Sequence, residues 1–287
     1  SSITLANFED ANVGANVSGA ALALASRITM IRPKGARRGP AYENDPNSLV
    51  DWAQPAPGCY EGFTVIQAGG GDFTTIQAAM NAVPSSLIDN TCVGIGDSAT
   101  YAENVTVAGK TTNGYRLSIV GISASPPVLA PASGTGFLIN NASVTLQNVT
   151  VAPTGASAYG VRVQQNDVTL SSVNVDAAGN ITTAGISLES YAGVISYSSV
   201  TVGAADGIHV AGSRNSVDHS SAQANSTALH AFYAIGGSTN SFSVILASNP
   251  AGEAFRGYLS ANLTVDQSTA ASSSRACLAS SDENGAC

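Results

Sequence analysis

Charge is what this chain has least of. Asp, Glu, Lys and Arg together make up 10% of its 287 residues, against roughly a quarter in ordinary globular chains. Acidic groups outnumber basic ones, leaving a net charge of −8 at pH 7. Nucleic acid binding needs clustered Lys and Arg to displace phosphate counterions, so nucleic acid is not an expected partner. Long apolar runs are scarce as well. The best candidate, Val17 to Ile31, contains Arg27 and falls short of the roughly 20 apolar residues of a membrane span. No membrane span is therefore expected. The only histidines, His209, His219 and His230, lack the short spacing of a metal site, and no loop has the ordered aspartates of a calcium site. No metal and no cofactor is expected.

Cysteine is limited to Cys59, Cys92, Cys277 and Cys287. Four cysteines allow three pairings. The two local pairs, Cys59 with Cys92 and Cys277 with Cys287, are the preferred reading, and four reduced buried thiols are the alternative. An even count without Cys-x-x-Cys favours an oxidising compartment, which makes an extracellular or cell-surface location the expectation. The sequence opens at Ser1 without a basic n-region, as expected of a chain whose signal peptide has been removed. Asn-x-Ser/Thr triplets stand at Asn16, Asn104, Asn141, Asn148, Asn180, Asn225 and Asn262, candidate N-glycosylation sites that a chain this rich in Asn, Ser and Thr also makes by chance.

What fills the gap left by charge is Ser, Thr, Asn, Gly and Ala, arranged in a repeat. Strand starts recur at Gly136-Phe137-Leu138-Ile139, Gly160-Val161-Arg162-Val163, Gly185-Ile186-Ser187-Leu188, Gly207-Ile208-His209-Val210 and Leu229-His230-Ala231-Phe232. Their spacing by position is 24, 25, 22 and 22 residues. Each start is followed by a second alternating run, such as Val168-Thr169-Leu170, and in several units by a third, such as Val173-Asn174-Val175. Three short strands and three turns per unit make one coil of a right-handed parallel β-helix, an all-β solenoid in which each strand pairs with its equivalents in adjacent coils. Inward Val, Ile, Leu and Ala would then form a continuous apolar column, with Ser, Thr, Asn and Gln outside. Five clear coils are expected, after a less regular start.

Ahead of the repeat, Thr74-Thr75-Ile76-Gln77 has the Thr-x-x-Gln form of a capping box. Ile76, Ala79, Met80 and Val83 then share one helical face, and Pro84 ends the run. A capping helix beginning at Thr75 is predicted. Residues 1–58 differ in character: a small-residue stretch to Ile31, a Pro/Gly-punctuated basic piece from Arg32 to Pro40, and Trp52, the single tryptophan. They read as an N-terminal arm or docking segment before a β-helix over 59–287. Arg32 to Arg38 reads as a solvated loop in preference to a polyanion patch. The arm either completes the solenoid of a neighbouring subunit by strand addition, building a fibre, or folds back as a cap on its own.

Phe63-Thr64-Val65-Ile66, then Gly71-Asp72-Phe73-Thr74-Thr75-Ile76-Gln77-Ala78-Ala79-Met80-Asn81-Ala82-Val83-Pro84, then Tyr101-Ala102-Glu103-Asn104-Val105 resemble the opening of pectin methylesterases and of related β-helices in large bacterial surface proteins. Asp206-Gly207-Ile208-His209-Val210 with Asn215-Ser216-Val217 is similar to a coil of the pectin-lyase-like superfamily. The resemblance covers roughly residues 60 to 265 and implies the fold. It also implies what an esterase would need: two aspartates, an arginine and glutamines, in Gly-x-x-Asp-Phe-x-x-Gly and Leu-Gly-Arg-Pro-Trp contexts. Neither context occurs here, and Arg162 with Asp167 or Asp176 offers only the residue types.

Asp206, His209, Asp218 and His219 are the densest titratable group, and stacking would bring His209 near Glu189 or His230. Solvated polar residues on outward faces are the preferred reading, so no catalytic residue is assigned. The expected function is a non-enzymatic extracellular structural or adhesive protein, a fibre subunit joined through its arm, with copies of itself, cell-surface components or carbohydrate as partners. A polysaccharide-active enzyme on the same fold is the alternative.

Overall fold

The computed structural model describes residues 28–30, 50–52, 61–177, 179–258, 264–266 and 269–272. Two short strands, β1 (Ile28–Met30) and β2 (Val50–Trp52), pair in parallel as a sheet of their own. The solenoid follows: β3 (Glu61–Val65), helix α1 (Ile76–Ala82), β4 (Thr91–Ile95), β5 (Thr100–Tyr101), β6 (Val105–Ala108), β7 (Leu117–Gly121) and β8 (Val128–Leu129). Next come β9 (Gly134–Asn140), β10 (Val144–Val151), β11 (Ser157–Val163), β12 (Val168–Ala177), β13 (Ile181–Glu189), β14 (Val194–Ser196) and β15 (Ser199–Val202). The last are β16 (Asp206–Ala211), β17 (Ser216–Gln223), β18 (Phe232–Ile235), β19 (Ser241–Asn249), β20 (Phe255–Tyr258), β21 (Thr264–Asp266) and β22 (Thr269–Ser272).

Every pairing between these strands is parallel, each strand binding its counterpart one coil away. The front sheet runs β6-β9-β11-β13-β16-β18-β20, and the larger back sheet runs from β3 to β21 with its second half, from β5 and β8 to β22, bent away at a corner. The front sheet thus has seven strands, so the parallel β-solenoid expected from the repeat extends past the five coils legible in the sequence.

In-register stacking turns the alternation of each strand into columns. In the front sheet Val105, Phe137, Val161, Ile186, Ile208, Phe232 and Phe255 are partners in sequence and all buried. In the back sheet Phe63, Val93, Ile119, Leu146, Leu170, Ile195, Val217 and Phe242 form the facing column. A third column, Tyr101, Leu129, Val151, Val175, Val200, Ala222 and Ala247, shrinks toward the C-terminal end. In those same last coils the core gains the packed rings of Phe232, Phe242 and Phe255, with centroids 4.8, 4.9 and 6.2 Å apart. Small side chains in one column are thus offset by large ones in the columns facing it, as close packing requires.

The repeated glycine at the strand starts has a steric cause. A Cβ on Gly160 would lie 2.6 Å from the carbonyl oxygen of Gly185 and 2.8 Å from a methyl of Val175. Gly136, Gly185 and Gly207 are pinched in the same way by the next coil and the third column. The fifth strand start departs from the expected register: Ile208 pairs with Phe232, which puts Ala231, not Leu229, opposite Gly207. The last repeat is two residues longer than the sequence alignment indicates, and His230 lies in the turn before β18.

Helix α1 begins after Thr75, as predicted, but the Thr-x-x-Gln box is not what caps it. Thr75 Oγ1 accepts from Ala78 N at 3.2 Å. The Glu103 carboxylate, from the next coil, accepts from Ile76 N at 2.8 Å and Gln77 N at 3.0 Å. Gln77 turns instead to the backbone of Thr106, donating to its carbonyl and accepting from its amide. At the other end Lys110 Nζ donates to Val83 O at 2.6 Å. An anion at the N-terminus and a cation at the C-terminus both complement the helix dipole, so a seven-residue helix, too short to stand alone, is held by side chains of the coil it covers.

Substituting Gly160 by Ala is expected to lower unfolding free energy by about 1–3 kcal/mol through overpacking. Thermal melts of the two proteins test this, and an unchanged melting temperature would refute the steric account of the glycine column.

Candidate functional site

The outward row of the front sheet runs Thr106, Leu138, Arg162, Ser187, His209, Tyr233 and Arg256, partners in register. Its second half carries a cluster of titratable groups. Arg162 donates from Nε and Nη2 to both oxygens of Glu189, at 2.8 and 2.9 Å, and Ser187 Oγ donates to the same carboxylate at 2.9 Å. Arg162 also lies 4.8 Å from the centroid of the Tyr159 ring. The His209 ring stacks on Tyr233 at 5.1 Å, and Tyr233 stacks on His230 at 4.8 Å. Buried His230 sits between two carboxylates, Nδ1 3.3 Å from Asp206 and Nε2 3.3 Å from Glu253, whose other neighbour is Arg256 at 3.6 Å. Asp206 also accepts from the His230 backbone amide at 2.8 Å.

The environment shifts three of these groups, and the hydrogen bonds to Glu189 push the Arg162 guanidinium above its ordinary value. Burial alone would raise the Glu189 carboxyl, but hydrogen bonds from Arg162 and Ser187 outweigh it and hold the group below its ordinary value. Burial holds the His209 imidazole below its ordinary value against the pull of Asp206 and Glu189. Its Nε2 is buried with no hydrogen-bond partner. A neutral ring tolerates that position better than a charged one.

Stacking therefore does bring His209 near Glu189 and His230, as the sequence suggested, but it divides the expected group of four. Asp206 and His209 belong to the front sheet. Asp218 and His219 lie on the back sheet, where His219 Nδ1 and Asp218 Oδ2 are 2.7 Å apart and Ser243 Oγ donates to Asp218 Oδ1 at 2.6 Å. Those hydrogen bonds, Ser243 first, hold the Asp218 carboxyl below its ordinary value. The His219 ring stacks on Tyr197 at 5.1 Å. Arg162 meets neither Asp167 nor Asp176. Glu189 takes it instead, because residue 189 lies two positions beyond Ser187, the register partner of Arg162. Asp167 accepts from Arg116 at 2.7 Å and from Ser143 at 2.8 Å, a bridge across three coils at a turn, and Asp176 is exposed on β12. Among the described residues no group of three or more His, Cys, Asp and Glu is placed to hold a metal ion.

Sequence reasoning missed the two corners that shape the back sheet. Ser143, Asp167, Ala192, Arg214 and Thr239 have φ of 55, 55, 57, 56 and 57° at its entry. Asn148, Ser172, Tyr197, His219 and Val244 have φ of 53, 53, 50, 45 and 51° at its bend. The left-handed region suits Asn, but it is costly for Tyr and more so for a β-branched Val. No local sequence signal marks a left-handed Tyr or Val; only the aligned register does.

Several candidate glycosylation asparagines have structural bonds. The side-chain nitrogens of Asn104, Asn148 and Asn180 donate to backbone carbonyls of other coils at 2.6–2.7 Å. Asn141 is buried and accepts from Lys110 N at 2.8 Å. Asn225 is exposed. Cys92 is buried in β4 and paired in register with Gly62. Asn16, Asn262, Cys59, Cys277, Cys287 and the Arg32 to Arg38 run lie outside the described residues. No described helix is long and apolar enough to cross a membrane.

No family model matches the chain, and the comparison with curated proteins found no match. Among solved structures it is similar to Escherichia coli YbhC, at 14% identity and a TM-score of 0.47, over 79% of this chain and 74% of that one.

Two of the shifted groups, His209 and Glu189 on the front sheet, fix the sign of that sheet's acid response. An unfolded histidine titrates near pH 6.5 and an unfolded glutamate near 4.3. With His209 depressed, the unfolded chain takes up a proton that the folded one refuses as pH falls below about 6.5, so stability drops there. The Glu189 contribution is present above about pH 4.3 and disappears only as pH falls through its lower folded value. Melting temperatures from pH 8 to 5 should decline in the native protein and decline less in His209→Gln. Equal slopes would remove His209 from the account.

Proposed function

We propose that this chain is a non-enzymatic structural and adhesive segment of an extracellular or surface-displayed β-solenoid protein, meeting copies of itself or cell-surface components, carbohydrate included. The observation that carries this reading is where the few charges go. Arg116, Arg162 and Arg256 each lie against a carboxylate, while the rows around them are hydroxyls and amides repeated at the strand spacing of roughly 4.8 Å. Thr145, Thr169, Ser216 and Ser241 form one such row, interrupted by Val194, and Gln147, Ser171, Ser196 and Ser243 the next, interrupted by Asp218. Arg116–Asp167 and Arg162–Glu189 join coils and Arg256–Glu253 closes within one, and charges neutralised in such pairs leave faces suited to lateral contact with little electrostatic repulsion. The separate β1-β2 sheet supports an N-terminal segment acting as a unit distinct from the solenoid, and so a joint between subunits. Cys59 stands three residues before Gly62, the register partner of Cys92, which favours a Cys59–Cys92 bridge; Cys277–Cys287 completes the proposed pair. Exposed Asn225 is the sequon best placed for a glycan.

A second reading has an observation of its own. Asp206, His230, Glu253 and Arg256 bring carboxylates, imidazole and guanidinium together on one face, the groups that polysaccharide cleavage or ester hydrolysis employs. The two readings separate cleanly by experiment. Electron microscopy of the purified chain should show end-to-end assembly that deletion of residues 1–31 abolishes, and incubation with polygalacturonate or esterified pectin should give no turnover. Assembly unaffected by the deletion would overturn the arm joint, and turnover lost in Asp206→Asn would establish the enzyme.

A further inference from the structure

The bend of the back sheet carries a feature that coil cohesion does not require. Its first two corner residues, Asn148 and Ser172, are small and polar, whereas the next three are Tyr197, His219 and Val244, held in the same left-handed conformation. Strain of this kind persists where something else depends on the residue. Tyr197 is 63% exposed, the most exposed large hydrophobic side chain among the described residues. One face of its ring is covered by His219, at 5.1 Å and 25°. Its partner in the preceding coil is Ser172, too small to cover the other face. The imidazole beneath it is fixed by Asp218, and Asp218 by Ser243, so the ring pair is braced.

The free face of Tyr197 looks toward the coil of Ser172, and two residues along those same two coils Ser199 Oγ donates to Asn174 Oδ1 at 2.6 Å, so an aromatic face stands beside a hydroxyl and an amide. The carboxylate of Asp218 is already engaged by Ser243 and His219.

We propose that this corner is a binding site for a neutral glycan, with one sugar ring stacked on Tyr197 above Ser172 and its hydroxyls facing Ser199 and Asn174 two residues along the same pair of coils. Sugars present an apolar C–H face and an equatorial rim of hydroxyls, which matches an aromatic platform beside uncharged donors and acceptors. An anionic glycan is disfavoured by Asp218 and by the net charge of −8. The site rests on the adhesive reading and gives that reading a ligand class.

The full chain is tested against immobilised gluco-, manno-, galacto- and xylo-oligosaccharides, with polygalacturonate as the charged comparison. At least one neutral glycan should bind. Tyr197→Gly, which relieves the left-handed strain, should melt no lower than the native protein yet bind about tenfold or more weakly. Tyr197→Trp should keep binding and report it by a change in indole emission. A Tyr197→Gly variant that binds as well as the native chain overturns the site, and so does binding confined to polygalacturonate or absent from every glycan. Assembly is scored separately by microscopy, so an intact fibre without glycan binding would sink this site and leave the structural reading standing.

Discussion

The fold depends on one constraint, the in-register parallel pairing of each strand with its equivalent one coil away. Parallel strands share a side-chain period of two, so a slip of one residue would turn every buried column outward. Register is held most firmly where a column is fully buried, as from Phe63 through Leu146 to Phe242. Because each coil touches only its neighbours, stability is close to a sum of coil and interface terms. No single interface carries the molecule, and any coil can be altered locally at the cost of two interfaces.

Two devices enforce that register at the places where strands turn. Left-handed residues recur at both corners of the back sheet, and each costs roughly 1–2 kcal/mol when it is not glycine. Ten such residues form the two columns, and the bonds around them show what offsets the cost. Val173 N donates to Ser198 Oγ and Ser198 N to Ser220 Oγ, at 3.1 and 3.2 Å, so hydroxyls just past the bend take up backbone amides inside the coil. At the entry corner Asn215 accepts from Gly193 N and donates to Ser190 O, while Asn240 accepts from Asn215 N, at 2.8–2.9 Å. Buried Ser and Asn are thus the polar counterpart of the apolar columns. They satisfy backbone groups that the sheets cannot reach.

Much of this architecture was legible because repetition writes it several times over. Gly136, Gly160, Gly185 and Gly207 mark the strand starts, and their register partners confirm the spacing. The last repeat failed because alignment by sequence matched Leu229 to Gly207, while packing of Phe232 against Phe242 and Phe255 selects a register two residues later. The helix start at Thr75 was legible from its apolar face, but its caps were not, since Glu103 and Lys110 arrive from the next coil. The titratable group was legible in composition and not in arrangement. Chain proximity suggested that Asp218 and His219 join Asp206 and His209, whereas a coil separates neighbours in sequence onto different faces and brings together residues some 22 to 27 positions apart, as with Arg162 and Glu189.

That same geometry explains how one chain can keep two chemically different faces. The front sheet concentrates ionic pairs, with Arg162 and Glu189 giving the bidentate geometry that makes a pair directional. At about a third exposed on each side, this pair contributes modestly to stability, so its main effect is to fix which side chains of successive coils face each other. The back-sheet corner has almost the opposite composition, with rings, hydroxyls and one engaged carboxylate. Inward and outward residues alternate along each strand, so the surface chemistry of either face is carried by a different set of positions from the buried columns. The solenoid can therefore carry a change of surface chemistry at one coil without a change of fold, which is why identical coil geometry supports a strained Tyr at residue 197 where the preceding coil has Ser at residue 172.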